Sequence, residues 1–210
     1  CGRRWTSSTP SRRRQAESAV DVESVGLLSE LRLATRDAHD ELERRLDVPT
    51  RCGDPSGYAE LLSGFWAAYA PLESAVRECP MTGATVPDWP LRVKVPWLEQ
   101  DLYELGRRTP PTGRPVSLSC AEEVLGTLYV LEGATLGGAL VLRELARRGI
   151  GLPCRFFTSY GDRRGQMWRA FRRQAEQQEL QSDLRRELAI TAARRAFATI
   201  EDACRRPERD

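Results

Sequence analysis

The chain predicts an all-α fold, and three observations carry that expectation. Apolar residues recur at helical spacing in six separate stretches, capping residues stand ahead of several of them, and no segment alternates with period two for long enough to make a strand. The length of 210 residues suits one well-buried domain. A net charge of +2 lacks the basic excess of a nucleic-acid footprint. No apolar run approaches the ~20 residues of a membrane span, so neither nucleic acid nor membrane is an expected partner. The six cysteines are scattered without a C-x-x-C pair, which gives a zinc cage no support and points to reduced thiols and a cytoplasmic location. The basic residues are nearly all arginine, with Lys94 the one lysine, a bias that a GC-rich genome explains.

Residues 1–22 are rich in Arg and Ser, lack apolar periodicity and read as a disordered basic tail, leaving 23–206 as the domain. The first helix is expected from about Ser24 to Leu46, with Leu27, Leu31, Ala34, Ala38, Leu42 and Leu46 in register. His39 falls at the border of its apolar and polar faces. Asp54-Pro55, a cap and a first-turn proline, opens a second helix whose stripe runs from Tyr58 through Phe65, Trp66 and Tyr69 to Val76. Residues 80–92 read as a proline-containing connection, Pro96–Leu105 as a short helix and 109–115 as a loop.

The stretch from Ser119 to Gly149 reads as one long helix. Ser119 and Glu122 have the spacing of a capping box, and Gly149 follows a basic last turn. Yet its middle carries Gly126, Gly133, Gly137 and Gly138. Each glycine costs about 1 kcal/mol against alanine, so the four give away roughly 3 to 4 kcal/mol. Gly126, Gly133 and Gly137 fall within about 20° of one another on a helical wheel. Such a stripe of bare backbone suits either a closely packed neighbouring helix or a flat object laid along it. A turn then leads into a helix from about Asp162, and Ser182 caps a last helix with Ile190, Ala193, Phe197, Ile200 and Cys204 on one face.

A lone histidine removes most catalytic arrangements. No nucleophile elbow accompanies His39, no Glu-x-x-His pair exists for a di-iron bundle, and no phosphate-binding glycine loop is present. One imidazole suffices for a haem iron, because the porphyrin supplies the four equatorial ligands. Glu43, one turn on, is placed to fix the ring tautomer, and Arg32, two turns back, to meet a propionate.

TRDAHDELE at 35–43, YAPLE at 69–73, LYVLEGATLGG at 128–138 and FFTSYGDRRGQMWRAF at 156–171 resemble the haem oxygenase family, most of all its bacterial branch, including members encoded beside bacteriophytochromes. The resemblance spans roughly residues 24–204. It implies a single-domain helical fold with haem b, both substrate and cofactor, between a proximal and a distal helix. His39 would be the proximal iron ligand and Glu43 its neighbour. The distal helix would kink at Gly133, Gly137 and Gly138 to bring backbone against the porphyrin, and Tyr69 would hold ordered water. Arg32, Arg169, Arg173 and Tyr129 would line the cofactor, the arginines towards its propionates, with Phe197 at the porphyrin edge.

Where animal enzymes of the family carry an aspartate that orders the proton-delivering water, this chain has Ala134, and a route through Thr135 and Tyr69 is the substitute. The resemblance also implies O2 as co-substrate and electrons from a ferredoxin or flavoprotein reductase. The products would be biliverdin, carbon monoxide and ferrous iron, with a bacteriophytochrome as an acceptor of the biliverdin. The alternative is a non-catalytic haem carrier or sensor on the same scaffold.

Overall fold

The computed structural model describes residues 26–178 and 182–205, so the basic tail assigned to residues 1–22 lies outside the described residues. Among these residues every regular element is helical. Nine α-helices follow in order: α1 (Leu27–Leu46), α2 (Val48–Arg51), α3 (Pro55–Glu78), α4 (Thr82–Thr85), α5 (Val95–Glu104), α6 (Ala121–Arg148), α7 (Arg155–Thr158), α8 (Arg164–Gln177) and α9 (Asp183–Cys204).

The caps at Asp54 and Ser182 form as expected, each side chain accepting a backbone N–H from the residue three positions on, Gly57 and Arg185. Ser119 does not cap α6. The helix starts one residue later than the box requires, at Ala121 with Cys120 as its cap. The Ser119 N–H and hydroxyl both donate to Glu123, at 2.7 and 2.9 Å, while Glu122 turns away to pair with Arg185 of α9. The 80–92 connection holds two single turns, α4 and a 3-10 turn at Trp89–Leu91. Segments of this length carry too few residues to show a period.

The last helix, α9, is the post on which α1 and α6 both stand. Along α1, Glu30 pairs with Arg186, the Ala34 carbonyl accepts from Arg194, and Arg45 pairs with Glu201. Numbers rise together, so α1 and α9 run parallel. Along α6, Glu122 meets Arg185 and Gly126 meets Ala189, again in rising order. All three helices therefore point the same way, and their levels can be read against one another. Contact between α1 and α6 themselves is slight.

Gly126 makes the α6–α9 contact possible. A Cβ there would stand 2.0 Å from the Ala189 carbonyl oxygen, far inside van der Waals contact. On the other side of the molecule α3, buried for most of its length, packs on α9 and α5. Asp101 of α5, fully buried, accepts the backbone N–H groups of Arg155 and Phe156 at 3.0 and 2.9 Å and so fixes the first turn of α7.

By length and composition α6 is apolar enough to cross a membrane, contrary to the expectation that no stretch approaches a span. Its character has a packing reason, since 56% of its most apolar window is buried inside the fold.

Gly126→Ala should lower the stability by about 1 to 3 kcal/mol, because the α6–α9 backbones must separate to admit a methyl. Gly133→Ala, whose Cβ would meet nothing within 4 Å, should leave it unchanged or slightly raised. Urea unfolding of the two variants beside the parent measures the difference.

Candidate functional site

The site grows from one contact between α1 and α6. The Tyr129 hydroxyl meets the Thr35 side chain, with Arg32 close by. Four residues further along each helix, about 6 Å of rise, stand His39 and Gly133. Because the helices are parallel, the two share a level. Phe197 lies eight residues beyond Ala189, as Ala134 lies eight beyond Gly126, so α9 presents Phe197 at that level too.

The His39 ring is held by one edge against Phe197, with centroids 6.1 Å apart and planes at 81°. Its side chain is 54% exposed. Nε2 lies 3.6 Å from the Glu43 carboxylate and Nδ1 3.6 Å from Asp40, so neither carboxylate is within hydrogen-bonding distance in this state. The imidazole has both nitrogens available for a new bond.

Along α6 the glycines divide into two kinds. A Cβ on Gly133 or Gly137 would meet nothing within 4 Å, whereas one on Gly138 would stand 2.5 Å from the Phe157 carbonyl oxygen of α7. Gly126 and Gly138 are packing glycines, and Gly133 and Gly137 face open space. The expected common stripe of Gly126, Gly133 and Gly137 is thus shared between a helix contact and a free surface. Gly133, Leu136, Gly137 and Leu140 cover about 100° of α6. Leu136 and Leu140 are exposed, so this face is apolar and uncovered. The helix assignment is continuous through the glycines, from Ala121 to Arg148.

Around the far flank of α6 lies a cavity of about 10 Å3, lined by Tyr69, Lys94, Ala134, Thr135, Gly138, Phe156 and Phe157. Its size matches roughly one water molecule. Tyr69 is fully buried, and its hydroxyl has no hydrogen-bond partner within the protein. A polar atom orphaned beside a water-sized void defines a water site. Thr135 donates its hydroxyl to the Glu132 carbonyl at 2.7 Å and leaves lone pairs free. Ala134 sits at the border between the cavity and the open face.

Behind the cavity is a buried polar cluster. Glu132 accepts from Arg92, Lys94 and the Tyr160 hydroxyl at 2.6, 2.6 and 2.8 Å. Arg92, Lys94 and Glu132 are each 0 to 1% exposed. Asp88 holds the other side of Arg92 at 2.7 Å. Glu73, one turn beyond Tyr69, accepts the backbone N–H groups of Lys94 and Val95 at 2.7 and 3.2 Å. Burial outweighs those bonds and pushes its carboxyl up to about 7.

At the Tyr129 end of the open face, Trp168 of α8 approaches Tyr129 with centroids 6.4 Å apart. Arg169 and Arg173 follow on α8, exposed. Among the described residues no ion pair engages Arg32, Arg169 or Arg173. Sequence reasoning named His39 and the open glycines Gly133 and Gly137, which the helix register sets at one level, and missed Lys94, Glu73, Glu132, Tyr160 and the Phe156–Phe157 pair. A charged residue inside an apolar helical run, as Glu132 is in LYVLEG, was the signal to follow.

An all-helical protein with a half-exposed imidazole level with an uncovered glycine face, and a water-sized cavity beside it, has the architecture of a haem-binding helical fold. The chain belongs to the haem oxygenase family, whose model, described as "Heme oxygenase", matches residues 25–206. A "Heme oxygenase" of Xanthomonas campestris pv. campestris is 37% identical over 111 residues, covering 52% of this chain and 66% of that protein, a little under two thirds of its length.

The fold is similar to that of solved haem oxygenases. The NO- and CO-bound enzyme of Neisseria meningitidis superposes with a TM-score of 0.76 at 20% identity, covering 86% of this chain and 91% of that one. The Leptospira interrogans enzyme gives 0.70 at 16%, over 85% and 98% of the two chains. A haem complex from the cyanobacterium Synechocystis gives 0.65 at 18%, over 86% and 91%.

The Glu73 carboxyl makes a pH prediction. Between about 4.5 and about 7 an unfolded chain has released this proton and the folded chain still holds it. Folding stability should therefore fall through that window, by on the order of 3 kcal/mol, and level off above it. Glu73→Gln should flatten the decline, read as the difference between the two proteins in thermal melts from pH 4.5 to 8.

Proposed function

We propose that this chain cleaves haem oxidatively to biliverdin, carbon monoxide and ferrous iron, using O2 and electrons from an external ferredoxin or flavoprotein reductase. The observation that supports it most strongly is the register that sets His39 level with the open backbone at Gly133, in a chain of this family. The residues fit the group. An imidazole free of hydrogen bonds binds iron from one face, and glycines without neighbours admit a planar ring system on the other. Haem supplies the iron centre that binds O2 and the porphyrin that is opened.

The chain's own side chains do the rest. His39, a neutral ligand, lacks the electron push of a thiolate towards O–O cleavage. Glu43 and Asp40 stand near enough to take a ring N–H once the imidazole is fixed. Arg32, Arg169, Arg173 and Tyr129 would hold the propionates, while Phe197, edge-on to the imidazole, would meet the porphyrin edge. Gly133 and Gly137 leave no room for a bulky second substrate once the ring is seated. Tyr69 and Thr135 hold a water beside Ala134, the position where animal members carry a carboxylate. Gly138 takes its part indirectly, by letting α7 close the cavity with Phe156 and Phe157. The setting is the bacterial cytoplasm, where a bacteriophytochrome is an acceptor for the biliverdin.

Hemin titrated into the protein should give a sharp Soret band, and His39→Ala should lose or weaken it. With a reductant and O2 the haem spectrum should convert to that of a bilin. Stable haem under competent reduction would instead indicate a carrier or sensor. Gly137→Leu should keep the parent's melting temperature, since the position faces open space, yet weaken hemin affinity at least about tenfold by filling the face.

A further inference from the structure

We propose that the buried Lys94–Glu132 ion pair sets the acidity of the water held beside Ala134, with Lys94 the member of the pair at the cavity wall. This rests on the haem oxygenase reading and names the residues that act where the distal carboxylate is absent.

The arrangement is directional. Lys94 lines the cavity together with Tyr69 and Thr135, whereas Glu132 does not. The Lys94 ammonium is pinned by three acceptors, the Arg92 carbonyl at 2.8 Å, Glu132 at 2.6 Å and the Tyr160 hydroxyl at 3.3 Å. All three of its protons are engaged, so Lys94 is a fixed charge and not a proton shuttle. Glu132 is equally fixed, its two oxygens divided between Arg92 on one side and Lys94 with Tyr160 on the other. The pair is dry, so its field reaches the water with little screening. A positive charge next to a water favours loss of its proton.

The groups facing Lys94 are Glu73 and Tyr69 from α3, Arg92 and Asp88 from the segment before α5, Glu132 from α6 and Tyr160 from the segment after α7. Arg92 and Asp88 offset one another, and the tyrosine hydroxyls are held protonated by burial. Glu73 is the one group here pushed up to about 7, and its titration is removed by working in a Glu73→Gln background as well. Lys94 and Glu132 act through the water and touch no substrate, so they are positioning residues.

The test reads a spectrum and not turnover. The full chain loaded with hemin is oxidised to the ferric state, and the pH midpoint of its visible-spectrum transition is recorded, because a water on the haem that bonds to the cavity water would titrate in the same field. Lys94→Met leaves the cluster one charge more negative and should raise the midpoint by at least about one pH unit. Glu132→Gln leaves it one charge more positive and should lower the midpoint. The double variant removes the pair without leaving a lone buried charge, which makes it the safest to fold. It should raise the midpoint by less than Lys94→Met does.

Opposite shifts in the two single variants are not produced by general loosening of the pocket. Shifts in the same direction, or none, overturn the proposal. If the single variants do not fold, an unchanged midpoint in the double variant overturns it. Parent protein that gives no Soret band with hemin refutes the haem reading itself, an outcome that involves no variant and is told apart on that ground.

Discussion

The contact of Gly126 with Ala189 is the constraint from which the rest of the structure follows. Backbone against backbone fixes how closely α6 approaches α9, and α9 also carries α1 through three polar contacts spread along its length. With both helices referred to one post, the level of His39 relative to Gly133 is set by counting residues, with almost no direct contact between α1 and α6. On the haem reading such indirect support is what a ligand slot needs, because side chains that joined its two walls would fill it.

The second constraint is electrostatic. Four charged side chains, Arg92, Lys94, Glu132 and Glu73, lie within the core beside the cavity. Removing water from such groups costs several kcal/mol apiece unless each is paired and hydrogen-bonded. Here the pairing is nearly complete, and the Tyr69 hydroxyl is left over at the cavity wall. The protein thus satisfies the groups that hold the wall in place and leaves one donor for what enters the cavity.

Much of this was legible in the chain. Apolar periodicity located all the long helices, and Asp54 and Ser182 marked their starts because the capping interaction is local. The glycines were read as a cost needing a reason, which was sound, but a wheel places residues on a face without saying what stands opposite. Gly126 and Gly133 are nearly superimposed on it and face a carbonyl and open space respectively. The Ser119–Glu122 spacing failed for a tertiary reason, since Arg185 draws Glu122 away. Lys94 stood out only as the one lysine among arginines. Its meaning depends on Glu132, Arg92 and Tyr160, which come together only in three dimensions.

The open glycines bear on how long the chain survives in a cell. Gly133 and Gly137 leave one face of α6 without neighbours, and Leu136 and Leu140 stand exposed beside them. Anything that binds only the folded state adds stability in proportion to the logarithm of its concentration over its dissociation constant. On the haem reading, the uncovered face of α6 is the one a bound ring would brace. Proteolytic turnover would then, on the same proposed reading, be coupled to porphyrin supply, with abundance rising when the pigment is plentiful and falling when it is scarce.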